Sequence, residues 1–361
     1  MILLGVGTAG AAIARGVSRA FGESLRIAIV DTDAATGQDG ENFTLLGGDR
    51  LSGHGSGGDI VAARLAAEDS IQTLDARLEG VRLAVIVTAL GGGTGGGATL
   101  ETVLHLTTLG IPSVVFATTP FLFEGDTRIA NARSIAPLIE DAANATFFVP
   151  LDKLVLGEDN MVAAMQRAVD AMASGITLFW RLVERSGYIR LDADRIRRLA
   201  SNAGRGRFAT VTVQGPNRAA DAVDRLIRSE LLATASAPVN AILCGILAGE
   251  DLRLSEIATI SDGIREAFGN NLTFDLGTVN DESTFSGRLC VVVMLFETSG
   301  RTPGTSVGGV LSGQPASRKG KGALGVGPVG RGRFNKVEPT IWRDEDLDVP
   351  TFIRKNVNLD F

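Results

Sequence analysis

Ala89-Leu90-Gly91-Gly92-Gly93-Thr94-Gly95-Gly96-Gly97-Ala98 decides the reading of this chain. The apolar run Leu83–Thr88 before it reads as a buried strand, and Thr99–Leu109 after it reads as a helix. Six glycines around one threonine leave the backbone free to turn amide N–H groups inward ahead of that helix. Those amides, backed by the helix dipole, suit a phosphate, and no Cβ keeps the phosphate from the main chain. A flexible linker is the plainer reading of so many glycines. Linkers are not flanked tightly by a buried strand and an amphipathic helix, so the context favours a phosphate cradle.

Around this stretch, short apolar runs alternate with helical patterns, as in a doubly wound parallel sheet. Ile2–Gly5 reads as a strand that leads into Gly7-Thr8-Ala9-Gly10 and a helix to about Ala20. Further strands are predicted at Leu25–Asp31, Val81–Thr88, Ser113–Thr118 and Thr146–Pro150. Residues 159–186 hold one breaker, Gly175, and carry apolar residues at helical spacing, which predicts one long helix. A smaller α/β unit follows, with strands at Phe208–Gln214, Ala241–Leu247, Leu272–Thr278 and Leu289–Glu297. Its helices are Ala219–Leu232 and Leu254–Phe268. The expected divisions are therefore 1–158 for the doubly wound domain with the phosphate cradle, 159–186 for the long helix and 187–298 for a C-terminal α/β domain.

The 361 residues are enough for two domains, and 45% hydrophobic content is enough for packed cores. A net charge of -6 argues against nucleic acid as a main partner. No run approaches the roughly 18 apolar residues of a membrane span, and no signal peptide precedes the first strand. Cys244 and Cys290 sit in apolar runs and read as inert core thiols, so the chain reads as soluble and cytoplasmic. With only His54 and His105, histidine-based metal or triad chemistry has little material. Ser299–Lys336 contains eleven glycines, three prolines, seven Lys or Arg and no acidic residue, so 299–337 reads as a disordered basic linker. Residues 338–361 regain apolar groups, among them Ile341, Trp342, Phe352 and Ile353. So short a patch builds no core of its own. It reads as a tethered peptide that binds a partner, or more plainly as a strand or helix docked on the body.

The glycine stretch resembles the tubulin/FtsZ signature G-G-G-T-G-[ST]-G, with Gly96 at the Ser/Thr position. Four more segments match that family in order. Gly5-Val6-Gly7-Thr8-Ala9-Gly10 resembles its first glycine loop, and Asp31-Thr32-Asp33-Ala34 its N-T-D-A segment. Pro120-Phe121-Leu122-Phe123-Glu124-Gly125-Asp126-Thr127-Arg128 is similar to the bacterial FtsZ segment P-F-x-F-E-G-x-x-R. Asp346–Lys355 is similar to the core of the FtsZ C-terminal peptide. The resemblance implies that 1–158 is a nucleotide-binding domain with a site holding GTP or GDP, with Mg2+ among the phosphates and no residue singled out as a metal ligand. Gly7, Thr8, Ala9, Gly10, Gly91, Gly92, Gly93, Thr94, Gly95 and Gly96 would hold phosphate, Gly53 and Gly55 would sense the γ-phosphate, and Glu124 and Arg128 would flank the ribose. It also implies head-to-tail polymers of the chain itself and placement at the division site through a partner. Further partners so implied are an ordinary FtsZ and a membrane-tethering division protein reached through Asp346–Lys355.

The sequence departs from the family pattern at two places. Its guanine-facing Asn in the first loop falls at Ala12, the strand-end Asn at Leu151, and the Asn-Asp pair of the central helix at about Gln166 and Arg167. Arginine has no acceptor to offer the guanine N–H groups. The second place is the family's N-x-D-x-x-D segment, whose carboxylates orient the attacking water. Here it reads Arg190-Leu191-Asp192-Ala193-Asp194-Arg195, so Asp192 and Asp194 are the candidate catalytic residues on a neighbour's site. A one-residue slip to Asp194 would swing a helical carboxylate by about 100°. Equally, Asp192 and Asp194 suit the cap and first turn of a helix.

Three functions are compatible with the sequence. One is a filament-forming GTPase, and another is a nucleotide-binding scaffold that does not hydrolyse. The third is a dinucleotide oxidoreductase, since Gly5-x-Gly7-x-x-Gly10 and Asp31 fit that fingerprint. The second, denser glycine stretch has no place in the third, and no catalytic His, Tyr or Lys constellation accompanies it.

Overall fold

Ile2–Val6 is buried along its whole length and forms the first strand, β1, of the computed structural model. The structure describes residues 1–21, 25–154, 160–185, 187–191, 193–200, 203–233 and 238–298, together with 341–342 and 345–346. After β1 come α1 (Gly7–Phe21), β2 (Ile27–Asp31), β3 (Phe43–Leu45), α2 (Gly48–Leu51), α3 (Ile60–Ser70) and α4 (Asp75–Leu78). Then follow β4 (Ala84–Ala89), α5 (Gly93–Thr108), β5 (Ser113–Thr119), α6 (Asp126–Ala142), β6 (Ala145–Pro150), α7 (Met161–Glu184) and α8 (Ala193–Ala200). The chain continues with β7 (Ala203–Gln214), α9 (Arg218–Ile227), α10 (Glu230–Ala233), β8 (Val239–Ala248), α11 (Leu254–Phe268), β9 (Thr273–Asn280), α12 (Glu282–Phe285) and β10 (Arg288–Thr298).

These ten strands form one sheet in the order β3-β2-β1-β4-β5-β6-β7-β10-β8-β9. From β3 to β7 every neighbouring pair is parallel, while β10 runs antiparallel to both β7 and β8. The two expected α/β parts thus share a sheet, joined where Thr146 and Phe147 of β6 pair with Arg205 and Gly206 of β7. Alternate residues of each strand feed opposite faces. Leu3, Val85, Phe116 and Phe147 pack with Ile13 and Val17 of α1 and with Ile176, Phe179 and Trp180 of α7. Leu4 and Ile86 pack on the other face with Leu100 and Val103 of α5 and Ile139 of α6.

The long helix forms as expected between Asn160 and Arg185. The Asn160 side chain accepts from the Ala163 N–H and supplies the N-cap. Gly175 makes room for the Phe208 ring, which a Cβ would approach to 2.8 Å. Both cysteines are core residues. Burial pushes the Cys244 thiol up to about 12 and raises that of Cys290, so neither is a nucleophile at neutral pH.

In the second part, buried Arg218 of α9 donates to Glu256 of α11 at 2.7 and 3.0 Å and to Asp251 at 2.8 Å. The hydrogen bond from Arg218 holds the Glu256 carboxyl below its ordinary range. A carboxyl depressed on folding stabilises above its unfolded pKa, and that contribution fades as pH falls below about 4. Glu256→Gln is expected to lower the melting temperature at pH 7 and to flatten its fall between pH 5 and 3, read by thermal melts across that range.

Residues 1–307 form one compact unit and 308–361 a second, of which β11 (Ile341–Trp342) and β12 (Glu345–Asp346) are described as an antiparallel pair. The linker expected at 299–337 lies outside the described residues, as does most of the peptide expected at 338–361.

Candidate functional site

Adjacent parallel strands β1 and β4 send their helices to opposite faces, α1 to one and α5 to the other. The crevice at the carboxyl ends of two such strands is where a doubly wound sheet binds its ligand. Gly7 follows β1 directly and turns the chain into α1 at φ +76°, a conformation that strains residues with a Cβ. At β4, the first turn of α5 is pressed onto the strand end, since a Cβ on Gly95 would lie 2.0 Å from the Ala89 carbonyl oxygen. The helix therefore begins at Gly93, inside the glycine stretch and not at Thr99. Gly92 caps it with no side-chain hydrogen bond, and neither α5 nor α1 carries an acid in its first turn. Two helix N-termini with donors to spare converge on one place.

A cavity of about 410 Å³ opens there. One end is polar, lined by Gly7, Thr8 and Ala9, by Gly92 to Gly95, and by the turn from His54 to Gly58. The Thr94 and Thr32 hydroxyls lie 2.7 Å apart. Asp31 is 1% exposed and fully engaged: it accepts from the Thr32 amide at 2.7 Å, the Asp33 amide at 3.3 Å and the Thr8 hydroxyl at 3.3 Å. On the adjoining wall, Arg128 donates to Glu124 at 2.7 Å, and Glu124 also accepts from the Phe121 amide at 2.9 Å. That amide fixes the carboxylate beside the cavity with Arg128 over it. The lining also has an apolar part, made by Ile13, Leu151, Met165, Ala168 and Val169.

Of the residues expected from the sequence, Gly7, Thr8, Ala9, Gly55, Gly92, Gly93, Thr94, Gly95, Glu124 and Arg128 line this cavity. Gly10, Gly53, Gly91 and Gly96 frame it instead. Gly10 faces the Val87 carbonyl, Gly96 faces Ile135, and Gly91 abuts the Arg128 backbone at φ +112°. Gly53 uses its carbonyl to accept from the Ala34 amide. Ser56, Gly57 and Gly58, which no sequence motif marks, also line the cavity, and Asn131 braces this turn by donating to the carbonyls of Gly58 and Gly91. On α7 the lining positions are Met165, Ala168 and Val169, not Gln166 and Arg167. Ala12 lies with Gln166 on an adjoining groove that shares Val169 with the cavity.

The segment expected to reach a neighbour's site lies apart from the cavity. Asp194, in the first turn of α8, is exposed and 3.3 Å from Arg197. Arg195 pairs with Asp275 of β9. Asp192 lies outside the described residues. No cluster of three or more His, Cys, Asp or Glu residues suited to a metal occurs among the described residues. No described helix is long and apolar enough to cross a membrane.

Strand order alone leaves the dinucleotide reading standing, because β3-β2-β1-β4-β5-β6 is also the classical order for that class. Comparison with known proteins separates the two. Residues 1–156 match the model of the Tubulin/FtsZ family, GTPase domain, and residues 204–297 match that of the FtsZ family, C-terminal domain. The chain belongs to the tubulin/FtsZ family. Among relatives, the cell division protein FtsZ of Pseudomonas aeruginosa is 29% identical over 285 residues, 77% of this chain and 72% of that protein. That of Coxiella burnetii is 27% identical over 350 residues, 92% and 90% of the two chains. An empty FtsZ dimer from M. jannaschii superimposes with a TM-score of 0.75 at 22% identity, covering 82% of this chain and 87% of its own. CetZ2 from Haloferax volcanii, solved as a GTPγS-bound protofilament, gives 0.70 at 22% identity, covering 83% and 93%. The tubulin/FtsZ architecture accounts for the doubly wound sheet, the long central helix and the smaller C-terminal part.

Proposed function

We propose that the cavity binds a nucleoside triphosphate, GTP by family inheritance, and that the loaded chain assembles head-to-tail into filaments serving cell division or a related cytoskeletal task. The observation that carries this reading is the convergence of two glycine-built helix N-termini on one cavity, which the Glu124–Arg128 pair also lines. Backbone amides would meet phosphate oxygens there, and the Thr94 hydroxyl would add a donor while that of Thr8 stays on Asp31. Mg2+ fits as an ion carried with the phosphates. It prefers phosphate and water oxygens to an all-protein cage, and the polar end supplies hydroxyls and Asp33. In a filament, the exposed carboxylate of Asp194 would orient water on the nucleotide of the next subunit. The terminal segment 346–355 would recruit a membrane-tethered division partner, and an ordinary FtsZ would be a further assembly partner.

A second reading, assembly without turnover, is favoured by Arg195, which stands where the family has an acid and is committed to Asp275. Phosphate release from GTP and Mg2+ over a series of protein concentrations separates the two. Interface catalysis predicts turnover per chain that rises with concentration and falls about a hundredfold in Asp194→Asn. Pelleting of GTP-loaded protein with no phosphate release supports the scaffold reading. Neither assembly nor release would defeat both.

A further inference from the structure

Besides the Glu124–Arg128 pair, the cavity lining includes a wall of hydrocarbon. Met165, Ala168 and Val169 stand at spacings of three and four on α7 and therefore share one helix face. Leu151 closes the end of β6 and packs with Phe121, Ala164 and Ala168. Gln166, in the register between them, turns away and donates to Asp170 at 2.8 Å. The three carboxylates that line the cavity, Asp31, Asp33 and Glu124, belong to the polar end and its wall, and each already accepts backbone N–H groups.

Guanine presents two N–H donors and a carbonyl acceptor along one edge, whereas adenine presents an amine donor and a ring-nitrogen acceptor. Telling them apart requires a side chain that satisfies one pattern and leaves the other unpaired. Methyl, methylene and thioether groups do neither. They gain by covering the base face, and a methionine sulfur packs well against any aromatic ring. Such a wall rewards area and ignores the edge.

We infer that this site selects nucleotides through triphosphate and ribose and leaves the purine edge unread by its described side chains, so that GTP, ATP and ITP are ligands of similar affinity. The inference rests on the nucleotide-binding reading above. Its residue-level cause is Val169 with Leu151, where a carboxylate and an amide would be needed for selection.

The test is titration calorimetry of GTP, ATP and ITP into the nucleotide-stripped full chain with Mg2+. Dissociation constants within tenfold of one another are expected. A GTP preference above tenfold over ATP overturns the inference and leaves nucleotide binding intact. No heat and no competition from any of the three would instead overturn the nucleotide reading itself. Val169→Asp is expected to raise the GTP-over-ATP ratio at least tenfold by placing a carboxylate on the wall. A folded Val169→Asp protein with the parental ratio would show that α7 does not face the base, which also overturns the assignment. The parental titrations decide the matter if that variant does not fold.

Discussion

Gly92→Val lowers nucleotide affinity about a hundredfold, or roughly 2.7 kcal/mol, and leaves the melting temperature unchanged. The two effects separate because of where Gly92 stands. It caps α5 at φ -84° and ψ 165°, an extended conformation open to any residue. A Cβ built there meets no atom within 4 Å, so the folded chain accommodates it. The same residue lines the cavity. An isopropyl group at that point takes up ligand volume and screens the first amides of α5, the donors that no cap has consumed. Gly95→Ala makes the instructive contrast. Its Cβ would lie 2.0 Å from a backbone oxygen of β4, so affinity there falls together with stability as helix and strand move apart. Calorimetry with GTP beside a thermal melt distinguishes the two. If Gly92→Val binds as the parent does, phosphate does not sit at the start of α5.

The glycine stretch pointed to the cavity while hiding its own conformation. Glycine costs about 1 kcal/mol per residue in a helix relative to alanine, which argues for a loop until Thr99. Packing overrides that preference. Cβ atoms on Gly93, Gly95 and Gly97 would strike the backbone of Asp59, Ala89 and Ile60, so the helix can lie this close only if its first turns have no side chains. Glu124 and Arg128 were legible because the segment Pro120–Arg128 resembles the family's, and their pairing is local, at i and i+4. The rotation of α7 was not, since it depends on contacts from α1 and the sheet that no local spacing reports. The same holds for Asn131, which reaches Gly58 across 73 residues. β3 has three residues, too few for a period of two to declare itself. The continuity of the sheet from β6 to β7 rests on two residue pairs from distant parts of the chain, and composition carries no trace of it.

The neighbouring seam between β7 and β10 supplies the largest expected effect on stability. Glu297→Ala lowers the folding free energy by about 3–5 kcal/mol, the usual consequence of stranding one half of a buried ion pair. Glu297 of β10 is 1% exposed, and Arg207 of the adjacent β7 is also buried, at 9%. Arg207 Nε stands 2.8 Å from Glu297 Oε1 but off the line of a hydrogen bond, so the contact is chiefly coulombic. The guanidinium also donates to the Leu232 carbonyl of α10 and cannot swing out to water without breaking that bond. Removing the carboxylate therefore leaves a charge that the interior neither solvates nor pairs. The double variant Glu297→Leu with Arg207→Leu removes both charges and fills the space with hydrocarbon, which restores most of the loss. Restoration stays incomplete because the Leu232 carbonyl is left without its donor, at about 1–3 kcal/mol. Urea titrations of the parent, both single variants and the double variant complete the cycle. A double variant as unstable as Glu297→Ala would mean that shape at the β7–β10 seam matters there and charge does not.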